Sequence, residues 1–207
     1  MSMGLSTPWL SALYDCKLSL YKMDEIWFFW TSEHGNSSKI EKENGRMEEP
    51  TAGSIDSQTV KWTAESAEES GFDGGKHIKG RKRHIVIDKI GCVLMVIVHS
   101  AQIQDSKGAL LLLKSLFAKV PTLRLIWADQ AYKGSLIKWG KNTFSCDLSI
   151  VYRTTKEFQV LPRRWVVEPT FAWLTRSRRL VREYEKSPAS SVSMVYVASI
   201  RIMLKKL

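Results

Sequence analysis

The succession of strand-like and helical segments is the feature that most limits how this chain can fold. Two runs rich in Ile and Val, at 83–88 and 92–99, are separated by a short link containing Gly91, which predicts an antiparallel hairpin. A strand is predicted before the hairpin at 54–63, with a polar loop at 65–75. Later segments predict helices at 106–119, 133–144, 162–184 and 190–207, and strands at 123–128 and 148–153. A meander followed by such alternation is typical of an α/β mixed sheet flanked by helices.

This order of elements is that of the ribonuclease-H-like fold, in which the first and fourth strands lie side by side. Asp56 lies in the first predicted strand, and Asp129 directly follows the fourth. The fold therefore predicts that these two aspartates come together. Glu168, in the predicted basic helix at 162–184, could approach them from one side.

These three acids indicate a metal site, because a carboxylate at the end of a buried strand loses its hydration unless a partner compensates for it. In a basic chain, such a metal cluster would act on phosphodiesters. Each acid also has a simpler interpretation: Asp56 as a turn or edge-strand residue, Asp129 as an Asx-type cap, and Glu168 as an ion-pair partner of Arg164. Two further acids, Asp88 and Asp105, are expected in a turn and at a helix N-cap, outside the site.

The buried face of the helix at 106–119 is predicted from its apolar spacing, and the residues expected on that face are Leu110, Leu111, Leu113, Leu116 and Phe117.

Charge is distributed unevenly along the 207 residues, whose net charge is +10. Residues 1–50 carry 5 basic and 8 acidic side chains, whereas residues 51–207 carry 26 and 13. We therefore expect a poorly defined segment at 1–52 and one domain at 53–207. The clustered basic residues of that domain favour a nucleic acid partner over a basic surface kept for solubility.

Several other classes of protein are disfavoured. The chain has no apolar run near the ~20 residues that a membrane-spanning helix needs, and no signal peptide is recognisable. The 3 cysteines and 4 histidines are scattered, so neither a disulfide framework nor a zinc site is expected. The cysteine usage favours a reducing, cytoplasmic location.

Four linked motifs carry a resemblance to a known family. They are IDSQTVK at 55–61, GRKRHIV at 80–86, IWADQAY at 126–132 and LPRRWVVE at 161–168. From about residue 49 to 207 the chain resembles DDE transposases of bacterial insertion sequences, within the insertion-sequence-four and insertion-sequence-five superfamily. The resemblance implies a catalytic domain at 53–207, with Asp56, Asp129 and Glu168 as its catalytic, metal-binding acids, and a remnant of a DNA-end-binding region at 1–52.

The activity that this resemblance implies is cleavage at the inverted-repeat ends of an insertion sequence and joining of the 3′ ends to target DNA. It implies Mg²⁺ (or Mn²⁺) as cofactor, which suits carboxylate ligands, with two ions about 4 Å apart. The implied partner is double-stranded DNA, and a homodimer would pair the two ends. Two alternatives stay open: a catalytically impaired remnant that only binds DNA or an intact transposase, and a nucleic-acid-binding protein without chemistry.

Basic segments on both sides of the predicted site are expected to hold DNA, because guanidinium groups clamp phosphates and Trp can stack on an unpaired base. A buried position for Trp165 and a merely solvated helix face for the later arginines are the competing interpretations. The predicted DNA contacts are Lys79, Arg81, Lys82, Arg83, Arg163, Arg164, Trp165, Arg176, Arg178 and Arg179.

Three departures from the family pattern bear on activity. Residues 1–48 match the family's helical N-terminal region weakly. Leu161 and Thr175 stand where the superfamily has Tyr and Lys, with Arg176 as a stand-in for the Lys. Pro169 follows Glu168, and in a helix that begins near Pro162 it would cause a kink and impair activity.

Overall fold

The computed structural model describes residues 49–66, 69–152 and 165–204. In these ranges, six strands form one mixed sheet. The strands are β1 (Ala52–Lys61), β2 (Gly71–Asp73), β3 (Ile78–Asp88), β4 (Val93–Ser100), β5 (Leu125–Ala128) and β6 (Asp147–Ile150). The helices are α1 (Asp105–Lys119), α2 (Ser135–Phe144), α3 (Val167–Thr175), α4 (Arg178–Val181) and α5 (Pro188–Leu204), and short 3₁₀ turns cover Ala64–Ser66 and Gln130–Tyr132.

Strand pairing confirms the predicted ribonuclease-H-like fold. β3 pairs antiparallel with β1 along one edge and with β2 and β4 along the other. β1 pairs in parallel with β5, and β5 in parallel with β6. Apart from β2, the strands therefore follow the order β4-β3-β1-β5-β6, with the first and fourth predicted strands, β1 and β5, adjacent.

Both faces of the sheet are apolar because neighbouring residues of β3 point to opposite sides. Val86 packs with Leu112 and Leu116 of α1 in one core. Ile85 packs with Val167 of α3 and Val195 of α5 in the other. Helices α1 and α2 thus cover one face, and α3 and α5 cover the other.

Several sequence predictions of local structure are corrected. The polar loop at 65–75 contains the short strand β2, and the fifth predicted strand ends at Ile150. On α1, Leu112 is fully buried, whereas Leu111 is 54% exposed and does not belong to the buried face. The long basic helix predicted at 162–184 is replaced, in the described part from 165 onward, by the two short helices α3 and α4.

The helix start also removes the kink predicted at Pro169. Since α3 begins at Val167, Pro169 lies in its first turn, where backbone N–H groups have no partner within the helix. The carbonyl of Trp165 accepts a hydrogen bond of 3.2 Å from the N–H of Glu168. The proline therefore breaks no hydrogen bond of the helix.

Among the described residues, no helix combines the length and apolar character needed to cross a bilayer. The predicted segment at 1–52 lies outside the described residues up to residue 48.

Candidate active site

Asp56 and Asp129 lie at matching positions, just beyond the last paired residues of β1 and β5. The parallel register places Ser54 opposite Trp127, and each aspartate follows two residues later. Paired strands lie about 4.8 Å apart. The adjacency of the two strands that carry these acids was predicted from the sequence and is confirmed.

A backbone N–H orients each of these carboxylates. Asp56 Oδ1 accepts a hydrogen bond of 2.7 Å from the N–H of Ser57. Asp129 Oδ1 accepts one of 2.8 Å from the N–H of Ala131, at the start of the Gln130–Tyr132 turn. The Asx-type cap considered for Asp129 is therefore present, and it fixes one oxygen of a side chain that is only partly buried.

Glu168 lies in the first turn of α3, where a negative side chain interacts favourably with the helix dipole. The helix packs against β1 and α5, and Glu168 is partly exposed. Arg164, its predicted ion-pair partner, lies outside the described residues, as does Arg163.

The donor chemistry of the three acids fits a hard divalent cation, since Mg²⁺ prefers carboxylate oxygens and keeps positions for water and phosphate. The arrangement of the three side chains fits such a cation only in part. Within the described ranges, no three His, Cys, Asp or Glu side chains form a group that could hold a metal ion. The compact cluster of Asp56, Asp129 and Glu168 expected from the sequence is therefore not assembled in this conformation.

A fourth acid, Asp105, contacts the residue that follows Asp56. The N-cap position of α1 is Gln104, so Asp105 is the first helical residue and not the N-cap that the sequence predicted. Its Oδ1 accepts a hydrogen bond of 2.9 Å from Ser57 Oγ and lies 3.1 Å from Lys82 Nζ and 3.5 Å from His84 Nε2. Burial raises the pKa of Asp105, but the contacts with His84, Lys82 and Ser57 outweigh it, so the pKa lies well below its usual value.

Lys82 lies between Asp105 of α1 and Asp73 of β2. Its Nζ donates a hydrogen bond of 3.0 Å to the carbonyl of Ile103 and lies 3.6 Å from Asp73 Oδ2. Asp73 Oδ2 also accepts a hydrogen bond of 2.6 Å from Thr59 Oγ1. Lys82 is therefore enclosed between two carboxylates, and the prediction that it contacts DNA is wrong in this structure.

Arg81 and Arg83 are also buried rather than aligned along a DNA surface. Arg83 Nη2 lies 3.0 Å from Glu183 Oε2, and its Nη1 donates to the carbonyl of Leu180 at 2.7 Å. Arg81 Nη1 donates to the carbonyl of Glu185 at 2.8 Å. Both side chains connect β3 to α4 or the segment that follows it, so the predicted DNA contacts of Arg81 and Arg83 are corrected.

The other predicted DNA contacts that the structure describes lie nearer the surface. Lys79 is exposed, with its Nζ 4.2 Å from the centre of the Trp62 ring. Arg176 and Arg178 are exposed, Arg179 pairs with Glu185 at 2.5 Å, and Trp165 is partly exposed.

Sequence reasoning missed the polar residues that lie under α1. The buried rings of His84 and His99 are 4.8 Å apart, and burial lowers the pKa of His99. A Cβ atom at Gly108 of α1 would lie only 2.8 Å from His84 Cε1, so the helix can approach these rings only with glycine there. The signal available in the sequence was the spacing of Lys82 and His84, which are two residues apart and therefore lie on the same face of a strand.

Comparisons with known proteins add a family assignment. A family model described as the transposase DDE domain matches residues 48–203. No curated protein matches the chain. Among solved structures, the catalytic core domain of BIV integrase matches with a TM-score of 0.48 and 9% identity, over 75% of this chain and 95% of that one. A chain of a simian T-cell lymphotropic virus intasome, solved with the PP2A regulatory subunit B56 gamma, matches with a TM-score of 0.47 and 15% identity, over 70% of this chain and 48% of that one.

Proposed function

The chain belongs to the transposase DDE domain family, and from this premise we propose that it cleaves DNA at insertion-sequence ends and joins the freed 3′ ends to target DNA. The observation that carries the proposal is the parallel register of β1 and β5, which brings Asp56 and Asp129 to one level. The fold also places Glu168 on a helix packed against β1.

We assign the divalent ion, Mg²⁺ or Mn²⁺, to Asp56 and Asp129, with Glu168 completing the ligand set. When bound, the ion supplies Lewis-acid activation and charge stabilisation for phosphoryl transfer. The protein residues contribute placement: Ser57 and Ala131 hold one oxygen of each aspartate through their N–H groups. Such placement matters because an error of about 1 Å can cost about 100-fold in rate.

The proposed partner is double-stranded DNA, at the inverted-repeat ends and at the target, with a homodimer pairing the two ends. Lys79, Arg176 and Arg178 are exposed and able to meet phosphates. Arg163, Arg164, Trp165 and Arg179 remain proposed contacts on the basis of the family motif and charge.

The test is cleavage of a labelled duplex that carries the inverted repeat flanking the gene, with Mg²⁺ or with a chelator. The proposal predicts a cut at the repeat end and joined products only with Mg²⁺. Binding without cutting would instead support the alternative that the chain is a catalytically impaired remnant that only binds DNA. Equal cutting with the chelator would contradict metal-dependent transfer.

A further inference from the structure

The hairpin formed by β2 and β3 presents an aromatic ring to solvent. Phe72 of β2 is 55% exposed, and its ring meets that of His77 edge to face, with centres 6.2 Å apart. A single exposed apolar side chain is ordinary in a folded protein. The surroundings of Phe72 therefore decide whether its ring marks a binding surface.

Positive charge lies beside this ring. Lys79 is the cross-strand partner of Phe72, which places their Cβ atoms about 5 Å apart. The Nζ atom of Lys79 also lies 4.2 Å from the centre of the partly exposed Trp62 ring. Lys76, in the turn between the two strands, is exposed. Since the acid of this hairpin, Asp73, is buried, the exposed part of the hairpin combines aromatic rings with cations.

Asp73 holds the turn of this hairpin in a fixed conformation. Its Oδ1 accepts hydrogen bonds of 3.0 Å and 3.1 Å from the N–H groups of Gly75 and Lys76. Its Oδ2 accepts one of 2.6 Å from Thr59 Oγ1 of β1. The turn is therefore tied to the centre of the sheet. A surface that is fixed before it binds a partner loses less conformational entropy on binding.

The exposed ring and Lys79 lie on the same face of the sheet as Asp56. Lys79 precedes Ile85 by six residues in β3, so the two side chains share a face. Ile85 packs with residues of α3 and α5 and pairs with Asp56 of β1. Phe72 lies on that face as well, because it pairs directly with Lys79.

This surface is about 20 Å from Asp56 along the sheet. The N–H of Trp62 donates a hydrogen bond of 3.1 Å to the carbonyl of Lys79, so the two residues lie side by side. Trp62 follows Asp56 by six residues, each of which adds about 3.3 Å in a strand. Phosphates of a stacked DNA strand are about 3.4 Å apart along its axis. A strand that is cut at Asp56 therefore needs about six nucleotides to reach the hairpin.

We propose that Phe72, Lys76 and Lys79 bind an unpaired DNA strand beside the cleavage point, with a base stacked on the Phe72 ring and phosphates at the two lysines. Every base has a π face, so this contact does not depend on sequence. The inference rests on the proposed function. It adds to the assigned duplex a single-stranded segment and an aromatic contact that the family motifs do not indicate.

Phe72→Ala removes the stacking ring from an exposed position, so the Tm should equal that of wild type. Loss of one stacked base should lower the affinity for a repeat-end duplex with an unpaired flank about 5- to 150-fold. The affinity for the same duplex with blunt ends should not change. The slope of log affinity against log salt should also stay the same, because no phosphate contact is lost. Phe72→Trp should restore the affinity, since it keeps a π face.

The experiment titrates the blunt duplex and a duplex with an unpaired flank of about ten nucleotides, longer than the span to Asp56, into each protein without Mg²⁺. The proteins are wild type, Phe72→Ala, Phe72→Trp and the matched control Leu111→Ala. Leu111 is 54% exposed on α1, which covers the other face of the sheet, so its variant should bind both substrates as wild type.

Equal affinity of wild type for the two substrates would overturn the inference, as would equal losses on both substrates in Phe72→Ala. A Phe72→Trp variant as weak as Phe72→Ala would also contradict stacking. The titration involves no cleavage. A failure of the proposed function therefore appears separately, as absence of Mg²⁺-dependent cutting in the duplex assay.

Discussion

Ser57 donates a hydrogen bond of 2.9 Å to Asp105, which ties the residue after Asp56 to the first turn of α1. The same carboxylate lies 3.1 Å from Lys82 on β3. Three elements, β1, β3 and α1, are therefore joined through the Asp105 side chain. The support comes from residues far apart in the chain, and its loss should affect both stability and catalysis.

Asp105→Asn should destabilise the protein at neutral pH by about 1–3 kcal/mol, because hydrogen bonds to a charged group are lost. The pKa of Asp105 is lower in the folded state than in the unfolded state, where it is about 3.9. The contribution of Asp105 to the free energy of unfolding is therefore fully present above the unfolded-state pKa. It is lost as the pH falls toward the pKa of the folded state.

Urea unfolding of wild type and Asp105→Asn between pH 7 and pH 2 measures this difference. We expect the gap in unfolding free energy to narrow progressively below about pH 4. A gap of constant size would show that the charge of Asp105 is not involved. Asp147→Asn is the matched control, since Asp147 is exposed and its pair with Lys141 should contribute little.

Lys79→Ala should weaken DNA binding and reduce the slope of log affinity against log salt by about 1, the value for one phosphate contact. Lys79 is exposed on β3, where its cation is available to a phosphate. Binding titrations of a duplex at several salt concentrations give this slope. An unchanged slope would remove Lys79 from the proposed DNA surface.

Arg83→Ala should act differently, although Arg83 belongs to the same basic run. Its side chain is 2% exposed and pairs with the fully buried Glu183, so removing it should cost about 3–5 kcal/mol of stability. The salt slope of the folded fraction should equal that of wild type. A reduced slope with unchanged stability would mean that Arg83 meets DNA after all.

Pro169→Arg should leave Mg²⁺-dependent cleavage unchanged, because α3 begins at Val167 and its first turn accommodates the proline ring. The repeat-end duplex assay measures the rate. A clear increase in the cleavage rate would instead support the prediction from the sequence that Pro169 kinks the helix.

The fold could be predicted because its signals are local. Two runs of Ile and Val joined at Gly91 give the β3–β4 hairpin, in which Gly91 has a positive φ of 84°. The strand order then follows from the alternation of helices and strands, and it makes neighbours of β1, which contains Asp56, and β5, which Asp129 follows. Strand β2 was missed because three residues are too few to show a periodicity.

The burial of the arginines could not be predicted in this way. Arg83 looks like part of a basic surface run, and its partner Glu183 is separated from it by 100 residues. The role of Asp105 was missed for the same reason, since its bond to Ser57 spans 48 residues. Local sequence gives charge, but only tertiary packing decides whether a charge meets solvent or a buried partner.

The central claim is that Asp56 and Asp129 act together on DNA. The most direct test compares the cleavage rates of Asp56→Asn and Asp129→Asn with those of wild type and Asp147→Asn, using the repeat-end duplex and Mg²⁺. We predict that either site variant loses about 100-fold or more of the rate, as expected for lost transition-state contacts, while retaining DNA binding. Asp147→Asn should cut as wild type. Cleavage by Asp56→Asn or Asp129→Asn at the wild-type rate would contradict the account.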